Sequence, residues 1–265
     1  MSQNDNLDLK PVPGERLKKF LRRSDVLQST LFGLIITGVF IILGGKYYPE
    51  WMPAAMSTDM KAIVKLMTVF TWISAPVCGV VLGIALYSFL NRHKGDTPPP
   101  DGPATRTNGP VVLLWSVVTS ALALVAVLYG LTEQNSTSLA SARNAEDAMV
   151  VNVIGSQWAW SFDYPEYGIS SHELMLPIDR PVSFKVVSVD VNHSFWPVQL
   201  GVKVDANKLA ETLADTTPTK LGEFDVKCAE LCGLYHAYME TTGEVMTEED
   251  FNSWVSTQDG DRNTK

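Results

Sequence analysis

A short run near the C-terminal end of the chain is rich in side chains that bind soft metal ions. Residues 228–239 read CAELCGLYHAYM, which places Cys228, Cys232, His236 and Met239 at spacings of four, four and three residues. A second histidine, His193, lies 35 residues before Cys228 in the run VDVNHSFWP, at a predicted strand end. Two thiolates, two imidazoles and one thioether form a ligand set suited to copper.

The number of cysteines bears on the kind of copper site. A mononuclear blue-copper site uses one cysteine, two histidines and a weak methionine ligand. Here two cysteines in one compact loop allow both sulfurs to bridge two copper ions, each with one histidine. Met239 would then be a weak ligand on one side of the pair, and a backbone carbonyl would be the ligand on the other side. Sharing one electron across such a pair keeps the change of geometry on reduction small, which favours fast electron transfer over substrate binding.

Three other interpretations of this cluster stay open on spacing alone. A disulfide between Cys228 and Cys232 suits an oxidising compartment, but it leaves both histidines and the methionine unexplained. Zinc accepts two cysteines and two histidines, yet it gains little from a methionine, and its cysteine pairs are more often separated by two residues. A catalytic cysteine–histidine pair needs neither the second cysteine nor the methionine. Copper accounts for the whole set.

The first half of the chain contains three long apolar segments. They cover about residues 26–45, 66–90 and 111–131, and none contains a charged residue. Because a helix needs about 20 apolar residues to cross a bilayer, these segments predict three membrane helices. The basic start of the first segment also fits a cleaved signal peptide, but no convincing cleavage site lies close behind it, which favours a retained anchor.

Charge predicts the orientation of these helices. Basic residues at positions 18, 19, 22, 23, 92, 94 and 106 precede the first segment and lie between the second and third, which places both regions on the cytoplasmic side. Three crossings then place the C-terminal half outside.

The two halves of the chain differ in net charge. Residues 141–265 carry a net charge of −11, against +3 for residues 1–140. An acidic half attracts a basic partner, and the total charge of −8 argues against nucleic acid as a partner.

The C-terminal half is predicted to be a β-domain. Apolar runs broken by turn signals predict strands over residues 150–155, 157–164, 171–176, 182–187 and 222–228, followed by a short helix ending near residue 258. Such strands suggest a small β-sandwich or barrel. The predicted organisation is a cytoplasmic segment (1–25), a transmembrane region (26–131), a linker (132–147), an extramembrane domain (148–258) and a tail (259–265).

Three runs, HSFWPVQLGVKVD, CAELCGLYHAYM and GSQWAWSFDY, resemble the binuclear copper-A domain of cytochrome c oxidase subunit II. The resemblance spans about residues 60–255. It implies a membrane α-helical anchor, a two-helix hairpin with an extra N-terminal helix here, followed by an all-β cupredoxin-like sandwich. It also implies a pair of copper ions held by six groups: the side chains of His193, Cys228, Cys232, His236 and Met239, and the backbone carbonyl of Glu230.

The resemblance implies further roles and partners. The carboxylate of Glu230 would bind a magnesium ion shared with subunit I, with Asp205 near that ion but not bound to it. Trp158 would be the surface ring through which cytochrome c passes its electron. The expected partners are the haem–copper subunit I, subunit III, a cytochrome c on the acidic face, and membrane lipid. The expected location is a bacterial-type plasma (inner) membrane, with the C-terminal domain on the outer, periplasmic side.

Several features depart from the family pattern. Residues 206–209 read ANKL where the family usually has Pro-Gly-Arg, which puts the contacts of that loop with subunit I in doubt. Ala159 replaces a tyrosine between two tryptophans, and the first helix is extra to the usual hairpin. Many members have a glutamate just before the tryptophan of the second hairpin helix, but no acid precedes Trp115, so a role in proton uptake is not carried over.

The expected function is that of the subunit through which electrons enter a respiratory cytochrome c oxidase. It would take electrons from cytochrome c and pass them to haem in subunit I, where oxygen is reduced to water with proton translocation by the complex. The chain has no C-x-x-C-H haem-attachment motif, so the oxygen chemistry is expected in subunit I. Three rivals remain: a quinol-oxidase subunit II, which lacks the copper ligands; a membrane-tethered copper-delivery protein; and a purely structural subunit.

Overall fold

The described residues of the first half of the chain form three long apolar helices. The computed structural model describes residues 24–92, 108–136 and 148–262, so most of the predicted segments 1–25 and 132–147, and residues 263–265 of the predicted tail, lie outside the described residues. The helices are α1 (Ser24–Trp51), α2 (Thr58–Leu90) and α3 (Gly109–Ser136). Each contains a stretch long and apolar enough to cross a membrane, which fits membrane anchoring. They extend beyond the predicted segments 26–45, 66–90 and 111–131.

Helices α1 and α2 approach each other closely at small residues. A Cβ atom added at Gly79 would lie 2.0 Å from Oγ1 of Thr37, and one added at Gly83 would lie 2.6 Å from the Cα atom of Gly33. Gly33 is also the buried residue of α1. Glycines let the two backbones approach within van der Waals distance, which is how apolar helices gain packing energy in lipid.

The second half is an all-β domain of two five-stranded sheets, as predicted. One sheet has the strand order β3-β2-β1-β5-β8 and the other β4-β10-β9-β6-β7. The strands are β1 (Met149–Ser156), β2 (Ala159–Tyr164), β3 (Ile169–Ser171), β4 (Leu174–Pro177), β5 (Val182–Ser188), β6 (His193–Pro197), β7 (Val204–Ala206), β8 (Thr212–Thr216), β9 (Gly222–Cys228) and β10 (Glu240–Met246). A final helix, α4 (Glu248–Arg262), follows β10.

Alternating burial along the strands builds the core of this domain. In β1 and β5 every second side chain is buried, which is the pattern of a strand with one face on a core. Phe195 packs edge-on against Phe184, with ring centroids 5.2 Å apart, and against Trp160 at 5.7 Å. Aromatic pairs of this geometry add to the energy of burial. The core therefore lies directly behind β6, the strand that begins with His193.

The structure differs from the predicted strands at several points. The strand predicted over residues 171–176 is two short strands, β3 and β4, which belong to different sheets. Strands β7, β8 and β10 were not predicted, and of β6 only the end at His193 was predicted. The predicted C-terminal helix extends four residues beyond 258, to Arg262.

The segment that precedes α2 is part of the β-domain. Among the described residues, residues 49–67 belong to the same compact unit as the strands of this domain. The hydroxyl of Ser57 is buried, donates to the carbonyl of Leu200 at 2.6 Å, and accepts the N–H of Met60 at 3.0 Å, so it also caps the start of α2. Ser57 further forms a β-bridge with Pro218. The start of α2 is thus fixed to the β-domain by hydrogen bonds.

Candidate metal centre

Two neighbouring strands and one loop bring the predicted ligands together. His193 is the first residue of β6 and Cys228 the last of β9, and these strands are paired, with Phe195 opposite Cys228. The chain then turns through residues 229–239 before β10 begins. The N–H of Cys228 donates to the carbonyl of Met239 at 3.0 Å, which closes the loop at its base. We call residues 228–239 the ligand loop.

The side chains of the ligand loop meet around the two cysteine sulfurs. The Sγ atoms of Cys228 and Cys232 are 3.8 Å apart, and both cysteines are free. Nδ1 of His193 lies 3.9 Å from Sγ of Cys228, and Nδ1 of His236 lies 3.5 Å from Sγ of Cys232. Sδ of Met239 lies 3.7 Å from Sγ of Cys232. A disulfide has its sulfurs about 2.05 Å apart, so these thiols are not bonded to each other.

The backbone carbonyl of Glu230 completes this set. Its oxygen lies 3.2 Å from Sγ of Cys228. Metal bonds of about 2.0–2.3 Å in tetrahedral geometry place neighbouring ligand atoms about 3.3–3.8 Å apart. The observed separations, 3.2–3.9 Å, lie close to that range. The ligand atoms of His193, Cys228 and Cys232 all lie within 4.8 Å of one another, and this cluster fits a copper site.

The Cys232 thiol is held in the protonated state when no metal is bound. Burial and, to a smaller extent, the neighbouring Cys228 thiol together raise the pKa of the Cys232 thiol to about 11. A bound cation must therefore displace this proton, which is the usual coupling of metal binding to thiolate formation.

An acidic residue missed by the sequence analysis orients His193. The Nε2 atom of this buried histidine lies 2.9 Å from Oδ1 of Asp190, so Nδ1 is the nitrogen that faces Cys228. Partial burial acts to raise the pKa of the Asp190 carboxyl, but hydrogen bonds from His193 and from two backbone N–H groups outweigh it and lower the pKa. A carboxylate behind a ligating histidine fixes its tautomer and ring orientation. The signal in the sequence is the aspartate three residues before the histidine.

Trp158 packs directly on the ligand loop. Its ring meets that of Tyr235 edge-on, with centroids 4.8 Å apart. A Cβ atom added at Gly233 would lie 3.3 Å from the Trp158 indole, and Gly233 has φ +123°, a conformation that favours glycine. Tyr235 immediately precedes His236, so an aromatic contact connects Trp158 to the neighbour of a predicted ligand. The sequence analysis did not single out Tyr235.

The structure places the two predicted magnesium-site residues at the surface. The side chains of Glu230 and Asp205 are both exposed. Asp205 lies on β7 opposite Ser194, whose carbonyl accepts the N–H of Ala229 at 2.9 Å in the ligand loop. Asp205 is thus beside the copper cluster but is not among the groups gathered around the sulfurs.

Apart from Glu230, the large exposed side chains of the ligand loop are apolar or aromatic. Leu231, Leu234 and Tyr238 are 78%, 81% and 77% exposed, and Tyr235 is half exposed. Large apolar side chains in one exposed loop are typical of a surface that contacts another protein. The ligand loop therefore combines a buried metal-binding interior with an apolar outer surface.

Comparisons with known proteins agree with this site. Residues 169–245, which include most of the β-domain and the whole ligand loop, match the family described as cytochrome c oxidase subunit II, periplasmic domain. The chain is 27% identical to cytochrome c oxidase subunit 2 of a Synechocystis species over 272 residues, covering 86% of this chain and 81% of the relative. It is also 29% identical to quinol oxidase subunit 2 of Bacillus subtilis, covering 86% of this chain and 72% of the relative.

The similarity to one relative is high enough to show the family. The chain is 30% identical to cytochrome c oxidase subunit 2 of Bacillus subtilis over 243 residues, which cover 87% of this chain and 67% of the relative. The resemblance inferred from the three sequence runs is thereby confirmed. This chain belongs to the cytochrome c oxidase subunit II family.

Proposed function

We propose that this chain is the subunit through which electrons enter a cytochrome c oxidase. It would accept electrons from cytochrome c and pass them to haem in subunit I, where oxygen is reduced to water and the complex translocates protons. The observation that carries the proposal is the convergence of three side chains and one carbonyl on two cysteine sulfurs 3.8 Å apart. A purely structural subunit has no need of such a soft ligand set.

Six groups of the chain would hold a binuclear copper centre. The Cys228 and Cys232 thiolates, whose sulfurs lie 3.8 Å apart, would hold the pair. His193, His236, Met239 and the Glu230 carbonyl, whose ligand atoms lie 3.2–3.9 Å from these sulfurs, would complete the set. When bound, such a pair supplies one-electron redox chemistry with little change of geometry. The protein's part is to hold these ligands rigidly and to exclude water from the buried side.

Trp158 is proposed to be the ring that receives the electron from the donor. Its contact with Tyr235 and its packing over Gly233 support this role, because they place the ring against the ligand loop. The exposed apolar rim would give the donor a dry contact surface, and the net charge of −11 on residues 141–265 would steer a basic cytochrome c toward it. We propose that docking combines both effects.

The remaining partners follow from the same proposal. Subunit I, and with it subunit III, would complete the oxidase around this chain. Because the carbonyl of Glu230 points to Cys228 while its carboxylate is exposed, that carboxylate is available for a magnesium ion shared with subunit I. Asp205 would lie near the ion and support it through water or a neighbouring ligand.

The proposed location is a bacterial-type plasma (inner) membrane that the chain crosses several times. The apolar helices support membrane anchoring. Basic residues before α1 and between α2 and α3 support a cytoplasmic location for those regions. The β-domain would then face the outer, periplasmic side, where a cytochrome c donor can reach it.

The full-length chain, purified in detergent and loaded with copper, provides the test. We expect two copper ions per chain, with one unpaired electron whose paramagnetic resonance spectrum shows hyperfine splitting from both nuclei. One copper ion with an ordinary cupric spectrum, lost readily to a chelator, would instead indicate a copper-delivery protein.

A quinol donor is the second candidate, because the chain is also similar to a quinol oxidase subunit 2. The complete oxidase separates the two donors. We expect oxygen uptake with reduced cytochrome c and little with a quinol, and the reverse result would favour the quinol oxidase.

A further inference from the structure

A glutamine between β1 and β2 makes two hydrogen bonds toward the metal centre. The backbone N–H of Gln157 donates to Oδ2 of Asp190 at 2.7 Å. Its side-chain Nε2 donates to the backbone carbonyl of Cys232 at 2.7 Å. Both distances are short for N–H···O bonds. Gln157 thus joins the turn that carries Trp158 to the ligand loop and to the residue behind His193.

We propose that Gln157 is a positioning residue that fixes the ligand loop relative to Trp158. The inference rests on the proposed function, because it assigns a role to the contact between the electron-receiving ring and the copper ligands. Gln157 touches no predicted metal ligand atom; it acts through the carbonyl of Cys232 and the carboxylate of Asp190.

The bond to Cys232 restrains the backbone at a predicted bridging ligand. Gly233 follows Cys232 with φ +123°, and a Cβ atom added there would lie 2.8 Å from Nε2 of Gln157. The glutamine amide is therefore packed against the loop backbone as well as bonded to it. Gln157 is an exposed residue, and an exposed glutamine loses rotamer entropy when it is held in one conformation. This hydrogen bond fixes the position of the Cys232 backbone in the loop.

The bond to Asp190 reaches the other side of the centre. Asp190 accepts the N–H of Gln157 through Oδ2 and contacts Nε2 of His193 through Oδ1 at 2.9 Å. One residue is therefore connected to a cysteine ligand through its side chain and to a histidine ligand through its backbone. Because Gln157 is covalently joined to Trp158, any movement of this turn changes both the ring and the ligand geometry.

Variants that remove only the side-chain donor test the proposal. Gln157→Glu keeps the size of the side chain but replaces the amide donor by a carboxylate, and Gln157→Ala removes it altogether. The backbone bond to Asp190 is kept in both. Gln199→Ala is the matched control, since Gln199 makes two bonds of similar length to Asp225, its Oε1 accepting at 2.9 Å and its Nε2 donating at 3.1 Å.

The measurements are made on the full-length, copper-loaded chain in detergent. We expect both Gln157 variants to change the copper hyperfine splitting and to lose copper to a chelator about 10-fold faster than the unmodified chain, as changes behind metal ligands do. The control should match the unmodified chain in both. Unchanged splitting and copper loss in the Gln157 variants would overturn the proposal. In the complete oxidase, a change confined to KM for cytochrome c would also overturn it, since Gln157 would then be a docking contact.

The same data separate this inference from the proposed function. If the unmodified chain itself binds a single copper ion, the proposed function fails before the variants are compared. If the unmodified chain has the two-copper spectrum and the Gln157 variants share it, only the positioning role is lost.

Discussion

The imidazole of His193 and the carboxylate of Asp190 form a pair in which one member is fully buried and the other 31% exposed, with Nε2 and Oδ1 2.9 Å apart. The ionised carboxylate accepts the Nε2 proton, so Nδ1 keeps its lone pair toward Cys228. The pair therefore reaches from the solvent side of the domain to the metal centre.

Removing the Asp190 carboxylate should weaken copper binding. Asp190→Ala is expected to lower the copper affinity about 10- to 100-fold, because nothing then fixes the His193 tautomer. Asp190→Asn should have a smaller effect, since its amide oxygen still accepts a hydrogen bond. Chelator competition measures both. Asp163→Ala is the control, as that carboxylate binds Ser170 at 2.7 Å, outside the ligand cluster; equal losses in Asp190→Ala and Asp163→Ala would contradict the assignment.

The two loop cysteines should be distinguishable from the third cysteine of the chain. Cys228→Ser is expected to abolish the shared two-copper spectrum, because a hydroxyl does not bridge two soft ions as a thiolate does. Cys78→Ser in helix α2 should leave the spectrum unchanged. Paramagnetic resonance and copper analysis of both variants provide the measurement. A two-copper spectrum that survives in Cys228→Ser would refute the bridging role.

The aromatic contact on the ligand loop should control electron uptake. Trp158→Ala and Tyr235→Ala are expected to slow uptake from cytochrome c by about 10-fold or more, the scale of losing a central aromatic anchor. Stopped-flow mixing with reduced cytochrome c measures the rate. Tyr167→Ala is the control, because Tyr167 is a half-buried tyrosine that packs edge-on against Phe251 of α4, outside the ligand loop. Equal slowing in all three variants would remove the special role of Trp158 and Tyr235.

Salt should weaken donor docking without abolishing it. Charges on exposed surfaces are screened beyond about 10 Å at 0.1 M salt, so KM for a basic cytochrome c should rise with ionic strength while kcat stays constant. The apolar rim of Leu231, Leu234 and Tyr238 should maintain a residual, salt-independent affinity. Steady-state oxidation over a salt series gives both parameters. A KM that does not change with salt would mean that the acidic half serves solubility alone.

Tyr164 should make the β-domain sensitive to alkaline pH. Its buried hydroxyl accepts the N–H of Met175 at 2.8 Å and donates to the carbonyl of the same residue at 3.1 Å, so Tyr164→Phe should lower the free energy of unfolding by about 1–3 kcal/mol at pH 8. Burial raises the pKa of Tyr164 in the folded state, although the bond to Met175 partly opposes it. Stability from the neutral phenol is therefore present below about pH 10 and is lost as pH rises further.

Denaturant unfolding of the two proteins between pH 8 and pH 11 checks the direction of this pH effect. The difference between their free energies of unfolding should become smaller as pH rises, because only the unmodified chain has a phenol at position 164 that must stay neutral. A constant gap would show that Tyr164 does not contribute to the alkaline loss.

The ligand loop could be singled out from the sequence because its candidate metal ligands lie close together along the chain. Cys228, Cys232, His236 and Met239 lie within 12 residues, and their spacing alone favours copper. The supporting residues are different, since Gln157 and Asp190 come from separate turns that meet only when β1 pairs with β5. A contact made by folding two distant turns together leaves no spacing pattern in the sequence.

Two of the unpredicted strands, β8 and β10, were missed for the same physical reason. Strand β10 reads ETTGEVM and β8 reads TLADT, which alternate polar and small side chains and offer few apolar residues to a periodicity argument. Asp215 and Thr216 in β8 are buried although their types are usually exposed. The neighbours in the sheet, rather than local preference, make these segments strands.

The β-bridge between Ser57 and Pro218 has a consequence for how the chain is threaded through a bilayer. Two segments that hydrogen-bond to each other must lie on the same side, so the chain between them can cross the membrane only an even number of times. Helices α2 and α3 are the two apolar spans found between them in the described residues. The even number of crossings follows from hydrogen bonding alone. It does not depend on the charge of the basic residues, yet it agrees with the orientation that they indicate.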